Sequence, residues 1–462
     1  METDELVIDR EVLRRFDRPG PRYTSYPTAD RFVEAFDAAA YRRALERRRE
    51  RRSPRPLSLY VHIPFCGTLC YYCACNKVIT KGRGRAAKYL DYLGRELDLV
   101  AAVLGEGERL EQLHWGGGTP TFLAPAELRS LAALIRSRFA FVPDGEYSIE
   151  VDPRTVNPET IALLGSLGFN RLSVGVQDFD PDVQRAVNRV QSYGVTAAVV
   201  DAARASGFRS VNLDLIYGLP LQNPARFSAT LDKVLRLAPD RIALYNYAHL
   251  PTVFKPQRRI DEAALPSAEA RVDLAVLAMR TFTRAGYTYI GMDHFAKPTD
   301  ELAQAQRLGH LHRNFQGYST RAECDLVGLG ISAIGAVGPA YSQNVKTLEE
   351  YYDRLDQGEL PVLRGVELSA DDLARRAIIQ ALMCHFEVSV EAIEIAYLID
   401  FERYFAAELA ELRRYEAMGL VEFDGDWLSA TPRGRLVVRG LCMVFDRYLR
   451  LAEARARYSK VV

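Results

Sequence analysis

From Leu57 onward, short apolar runs alternate with longer stretches in which apolar residues recur every three or four positions. The runs Leu57–Ile63, Leu110–Trp115, Tyr147–Val151, Arg171–Val176, Val211–Ile216, Arg241–Tyr247 and Tyr287–Met292 read as strands. The stretches Lys88–Leu104, Pro125–Phe139, Pro158–Leu167, Gly194–Ser206 and Ser267–Ala285 read as amphipathic helices. This alternation predicts an α/β fold with a parallel sheet covered by helices. Six or seven units favour a complete or partial barrel over a short open sheet.

The flanks differ from this pattern. Residues 1–40 carry RPGPRYTSYPTADRF, rich in Pro, Gly and Tyr, and predict an extended arm. Tyr41–Arg52 is heavily basic, with Glu46 and Glu50 interleaved, and reads as a solvated helix face that Pro54 and Pro56 end. After Leu363 come two helical patterns, Ser369–Met383 and Ile399–Met418, and then a hairpin-like unit with Asp424-Gly425 as its turn. A last helix completes what looks like a winged-helix tail, read as a structural cap and not a DNA binder. The expected division is an arm and helix over 1–55, a partial barrel over 56–363 and a mostly helical, winged-helix-like domain over 364–462.

Composition narrows the function classes. Apolar residues make up 48% of the 462, and lysine plus arginine balances aspartate plus glutamate at 60 each. A globular chain with a large core follows, with no general attraction to nucleic acid or membrane surfaces. A polyanionic substrate would have to be met by local arginines. The start of the chain shows no apolar secretory segment. The longest uncharged run, Leu326–Val345, is broken by Gly, Ser, Pro, Gln and Asn, and reads as a buried strand with its following loop, not a membrane span. A cytoplasmic monomer is expected.

Four of the seven cysteines, Cys66, Cys70, Cys73 and Cys75, fall in HIPFCGTLCYYCACNK. Thiolates this dense are soft metal ligands suited to a reducing compartment. The spacing differs from that of zinc ribbons and of bacterial ferredoxins, although a zinc knot held by all four is an alternative reading. Three thiols in CxxxCxxC can hold three irons of a [4Fe–4S] cube and leave one iron open to a chelating ligand. Chemically useful residues fall at strand ends: the cysteine loop, Gly116-Gly117-Gly118-Thr119-Pro120, Glu150, Gln177, Asp214 and the YNYAHLP segment. In parallel α/β folds such ends share one mouth. The glycines let backbone N–H groups approach a ligand, and a tight turn would need them equally. Cys324, Cys384 and Cys442 read as small core residues and His62 as a hydrogen-bonded, partly buried imidazole. His294, beside the last strand's mouth, is the better functional candidate of the two histidines.

CxxxCxxCxC with Asn76-Lys77 and HWGGGTPT resembles the radical S-adenosylmethionine (SAM) superfamily. Within it, GPRYTSYPTA, IEVDPRT, GVQDF, NLDLIYGLP, YNYAHLP and IGMDHFAKP resemble the oxygen-independent coproporphyrinogen III oxidases, from about Arg18 to the last helix. The resemblance implies that Cys66, Cys70 and Cys73 ligate a [4Fe–4S] cluster, that SAM occupies its open iron, and that Cys75 is not a fourth ligand. It implies first-SAM contacts from Tyr60, Tyr72, Gly117, Glu150 and Ile334. A second SAM-sized ligand would meet Gly118, Thr119, Gln177, Arg189, Asp214 and Ala248. It further implies that a 5′-deoxyadenosyl radical opens the conversion of two propionates of coproporphyrinogen III to vinyl groups, giving protoporphyrinogen IX. A one-electron donor such as a flavodoxin or ferredoxin is then required. No side chain is assigned as catalytic, because the cofactor carries the hard step. Arg22, in the arm, is a candidate for holding a substrate propionate. Competing readings are a haem chaperone or a haem methyltransferase of the related radical SAM type and, in a different class, a zinc-stabilised winged-helix DNA binder.

Overall fold

The computed structural model describes residues 6–451. A twelve-stranded sheet organises the chain. Its strands are β1 (Leu57–Ile63), β2 (Arg109–Gly117), β3 (Ala140–Val151), β4 (Arg171–Gln177), β5 (Ser210–Tyr217), β6 (Arg241–Asn246), β7 (Thr288–Gly291), β8 (His294–Ala296), β9 (Asp325–Leu329), β10 (Ile334–Val337), β11 (Ala340–Asn344) and β12 (Val362–Glu367). Their order is β12-β11-β10-β9-β1-β2-β3-β4-β5-β6-β8-β7. Among the described residues no pairing joins the two ends, so the barrel is partial, as expected.

β1 to β6 pair in parallel, each with the next, and β9 lies parallel on the outer side of β1. Each parallel return needs a crossover, and the helices Gly84–Leu104, Pro125–Arg136, Pro158–Ser166, Tyr193–Ala205 and Pro224–Leu237 supply them. Local chemistry starts three of these helices, including Pro224–Leu237, which the sequence pattern did not reveal. The side chains of Asn157, Ser192 and Asn223 accept from the N–H of Thr160, Val195 and Arg226, and proline follows both asparagines. β1 is buried along its length except at half-buried Tyr60, as a strand covered on both faces should be.

Several expectations are corrected. The seventh strand, β7, is present but pairs antiparallel with β8, because the Met292-Asp293 link is far too short for a crossover. The run Leu326–Val345 is three antiparallel strands, turned at Gly330 and Gly338, which adopt φ of 93° and 56°. Ile399–Met418 divides into Phe401–Tyr404 and Ala406–Glu416. The wing gains a third strand, Glu387–Ser389, and its turn falls at Gly425-Asp426. Residues 452–462, inside the expected C-terminal domain, and 1–5, inside the arm, lie outside the described residues.

The arm is partly helical. Asp9 caps Arg10–Phe16, whose Val12, Leu13 and Phe16 are buried. Arg439 then donates to the carbonyls of Gly20 and Pro21, and the Tyr23 hydroxyl donates to Asp446 at 3.0 Å, so C-terminal side chains hold the arm in place. The basic helix, Ala38–Arg49, is not wholly solvated. Arg48 is 1% exposed and pairs with Glu108 at 2.7 Å and Asp325 at 3.1 Å. Glu96, on the long helix after β1, is also buried. It accepts from the Tyr351 hydroxyl, the Asn344 amide and the Gly330 N–H at 2.6, 2.6 and 2.7 Å, tying that helix to the antiparallel edge.

Candidate active site

The carboxyl ends of the parallel strands open on a cleft of about 590 Å³. β1 runs into the cysteine loop, where Phe65–Cys66 pairs with Val78–Ile79 and closes the loop on itself. Inside it, the Cys73 N–H donates to the Cys70 carbonyl at 3.3 Å. Cys66, Cys70 and Cys73 all line the cleft. Cys70 is buried, Cys66 and Cys73 are half-buried, and Cys75 is exposed. Among the described residues no three His, Cys, Asp or Glu side chains converge on a point that one metal ion would fill. A cubane presents separated iron corners, so thiols spread round one pocket suit it better than a zinc knot does.

The surroundings of the three thiols differ. Arg154 and Arg189 each bring a guanidinium nitrogen to 3.6 Å from the Cys70 sulfur while sharing Asp152 at 2.6 and 3.2 Å. The Cys75 thiol hydrogen-bonds to Cys73 and, with the nearby Lys77 ammonium, pulls Cys73 down to about 6 despite burial. Burial pushes Cys66 up to about 11, against a hydrogen bond from the Thr119 hydroxyl at 3.4 Å.

The second wall is the glycine turn. Gly117 ends β2 with φ of 111°, a conformation that L side chains rarely adopt. An added Cβ would meet the His62 ring at 2.5 Å at Gly117 and the Pro64 carbonyl at 2.6 Å at Gly118. His62 itself is buried and bonded to the Asn76 carbonyl at 2.9 Å, the structural role expected of it. The Gly117 N–H donates to one oxygen of Glu150 at 3.2 Å, and His114 meets the other at 3.1 Å. Burial alone would raise Glu150; His114 and the Gly117 N–H outweigh it and hold the carboxyl below its ordinary value. Asp214 behaves oppositely: burial, then the charge of Glu150, push it up to about 6 against hydrogen bonds from Ser173 and Asn212. Gln177 ends β4 at φ 67°, a strained position for a non-glycine residue.

Of the residues singled out in the sequence, Tyr72, Gly117, Gly118, Thr119, Glu150, Gln177, Arg189, Asp214 and Arg22 line the same cleft as the three cysteines. Tyr60 and Ile334 line an adjoining cavity of about 290 Å³ that shares Cys75, Gly117 and Glu150 with the cleft. Ala248 lines neither. Its carbonyl accepts from the Gln257 amide at 3.1 Å, the same group that reaches the Tyr72 carbonyl. Arg22 is pinned to Asp293 and lies 5.5 Å from the Tyr245 ring. His294 packs edge-on against Tyr245 and Tyr318, and burial holds it neutral, with a pKa of about 3. Cys384 and Cys442 are buried as expected, whereas Cys324 is half-buried. Sequence reasoning missed Asp152, Arg154 and His114, although all three sit inside quoted motifs, within three residues of a strand end.

A CxxxCxxC loop and a glycine turn facing one cleft at the carboxyl mouth of a partial barrel define the radical SAM class. Residues 60–234 match the model of the radical SAM superfamily, and 368–437 match that of the HemN C-terminal domain. The oxygen-independent coproporphyrinogen III oxidase of Pseudomonas aeruginosa is 51% identical over 99% of this chain and 100% of its own. That of Escherichia coli is 46% identical over the whole of both chains. The solved structure titled coproporphyrinogen III oxidase (HemN) from Escherichia coli superposes with a TM-score of 0.91 at 46% identity, covering 96% of this chain and 100% of that one. The chain therefore belongs to the oxygen-independent coproporphyrinogen III oxidases.

Proposed function

We propose that this enzyme converts two propionate side chains of coproporphyrinogen III to vinyl groups, releasing CO2 without oxygen and giving protoporphyrinogen IX. The observation that carries the reading is the single cleft that holds Cys66, Cys70 and Cys73 together with Gly117, Gly118, Thr119 and Glu150. When bound, a [4Fe–4S] cluster and SAM supply the one-electron chemistry that attacks an unactivated C–H bond, which no amino-acid base or nucleophile can break.

The chain's own residues bind, orient and enclose. Cys66, Cys70 and Cys73 are the cluster ligands, and the guanidiniums of Arg154 and Arg189 stand 3.6 Å from the sulfur of Cys70. Tyr60, Tyr72, Gly117, Glu150 and Ile334 hold a first SAM. Gly118, Thr119, Gln177, Arg189 and Asp214 hold a second ligand of similar size. Ala248 supports that wall through Gln257 and Tyr72. Arg22 meets a propionate of the substrate by exchanging its pairing with Asp293. An external flavodoxin or ferredoxin delivers the electron, and the enzyme works as a monomer in the cytoplasm. Among the described residues no helix is long and apolar enough to cross a membrane.

The test is anaerobic incubation of reconstituted protein with SAM, reductant and coproporphyrinogen III. CO2 release with vinyl products is the expected result. Methyl transfer to haem, or tight haem binding without turnover, would replace this reading. An Arg22→Ala enzyme that kept the wild-type KM would remove Arg22 from the substrate site.

A further inference from the structure

The cysteine loop reaches the surface, where Gly67, Thr68, Ala74 and Cys75 are exposed. Three other segments are tied to it. In the first, the Val78 N–H donates to the Pro64 carbonyl at 2.8 Å and the Thr80 N–H to the Cys66 carbonyl at 3.0 Å. The second joins through the Tyr71 N–H to the Val187 carbonyl and through the Asn188 amide to the Leu69 carbonyl. In the third, the Gln257 amide reaches the Tyr72 carbonyl and the Arg259 guanidinium lies 5.5 Å from the Tyr71 ring.

Each segment leaves one large apolar side chain in solvent: Ile79 at 41%, Val190 at 60% and Val253 at 66% exposure. Scattered singly they would need no explanation; grouped round one loop they mark a surface that a partner covers. The surroundings carry more cations than acids. Residues 76–90 contain Lys77, Lys81, Arg83, Arg85 and Lys88 and no carboxylate, and residues 250–260 contain Lys255, Arg258 and Arg259 and none. The acids that follow the third segment have partners, Asp261 the Ala263 N–H and Glu262 His249. In a chain whose charges balance at 60 each, these two segments carry a local excess of cations beside the cysteine loop.

We infer that this face docks a small acidic one-electron carrier protein of the flavodoxin kind, with Ile79, Val190 and Val253 at the contact's centre and the cations at its rim. The inference rests on the proposed function, which requires an electron from outside the chain. An apolar centre with complementary charges around it is how a transient interface gains contact and fast, oriented encounter. In the step itself one electron passes from the carrier's anionic flavin hydroquinone, left as the neutral semiquinone, to the cluster, whose charge falls by one. No atom or proton changes place.

The test uses reconstituted holoenzyme and a purified bacterial flavodoxin. Calorimetry gives the Kd at about 50 and about 200 mM salt, where screening should separate rim charges from apolar contact, and stopped-flow absorbance gives the rate of cluster reduction by flavodoxin hydroquinone. Reversing Lys81→Glu, Arg85→Glu and Arg258→Glu together, or changing Val253→Asp, is expected to weaken binding and slow reduction by about tenfold or more. Dithionite-driven cluster reduction should stay within about twofold of wild type, because a small reductant needs no docking surface. Arg43→Glu, on the helix leading into the amino-terminal end of β1, controls for net charge and should change neither readout. Wild-type affinity and rate in both rim and centre variants, or an equal loss in the Arg43 control, overturns the docking surface. A wild-type protein that dithionite cannot reduce overturns the functional reading, and this inference with it.

Discussion

The Glu150 carboxylate accepts a hydrogen bond from the backbone N–H of Gly117, joining the end of β3 to the glycine turn after β2 across the cleft floor. Two walls of the site thus share one charged contact. With the opposite oxygen held by His114, the carboxylate has little freedom to turn. Glu150→Ala should therefore cost SAM binding about 1.5–3 kcal/mol, at least about tenfold in Kd. Equilibrium dialysis on anaerobically reconstituted protein measures it, and wild-type affinity would show that Glu150 makes no contact with SAM.

Gly118 tests the other wall. Its Cβ would stand 2.6 Å from the Pro64 carbonyl carbon and oxygen, backbone atoms that hold the start of the cysteine loop. Gly118→Ala should displace that loop and lower iron and sulfide incorporation, while circular dichroism reports an intact fold. Full incorporation in this variant would mean that the loop yields freely.

The cysteines should separate cleanly. Cys70→Ser is expected to abolish the cluster, read as loss of iron and of brown colour after reconstitution. Cys384→Ser, at a buried position on the helix Ala370–His385, should leave iron content unchanged.

Arg48 faces Glu108 and Asp325 from a nearly fully buried position. Arg48→Ala would leave two carboxylates without their cation in a poorly solvated place, a loss of about 3–5 kcal/mol. Denaturant unfolding measures it. A loss below about 1 kcal/mol would mean that water reaches the site and replaces the cation.

Glu96 gives a pH dependence with a definite sign. Burial lifts its carboxyl to about 7 in the fold, from an ordinary value near 4.5. The folded chain therefore holds a proton that the unfolded chain has released between those values. The contribution to stability is complete below about 4.5, shrinks as pH rises, and is gone above about 7. Glu96→Gln should flatten the stability profile over that window; an unchanged slope would show that the proton lies elsewhere.

What could be read from the chain alone was set by local forces. The β/α alternation and the cysteine loop are short-range patterns, and the fold keeps them; the helix Pro224–Leu237, capped by Asn223, went unread. Arg48 could not be read, because its partners are brought to it only by the pairing of β1 with β2 and β9. The helix at Arg10–Phe16 is too short to stand alone and forms because Leu13 and Phe16 have a core to enter. The antiparallel edge had a signal that was overlooked: Gly330 and Gly338 sit inside the uncharged run at the turns. Within the site, motif position brought most of the candidates to one cleft. Ala248 lines neither cavity; its carbonyl is linked to that of Tyr72 through the Gln257 amide. Asp152 and Arg154 went unread because an adjacent acid and base look like a surface pair until Arg189 and the Cys70 sulfur are seen beside them.

Gly20, Pro21 and Tyr23 are grasped by Arg439 and Asp446, side chains from the far end of the chain. During synthesis the arm leaves the ribosome long before the residues that grip it. Arg22 lies between those anchored residues, so the tethers on either side of it form only after Arg439 and Asp446 have emerged. A nascent chain released early would carry a formed barrel with an untethered entrance.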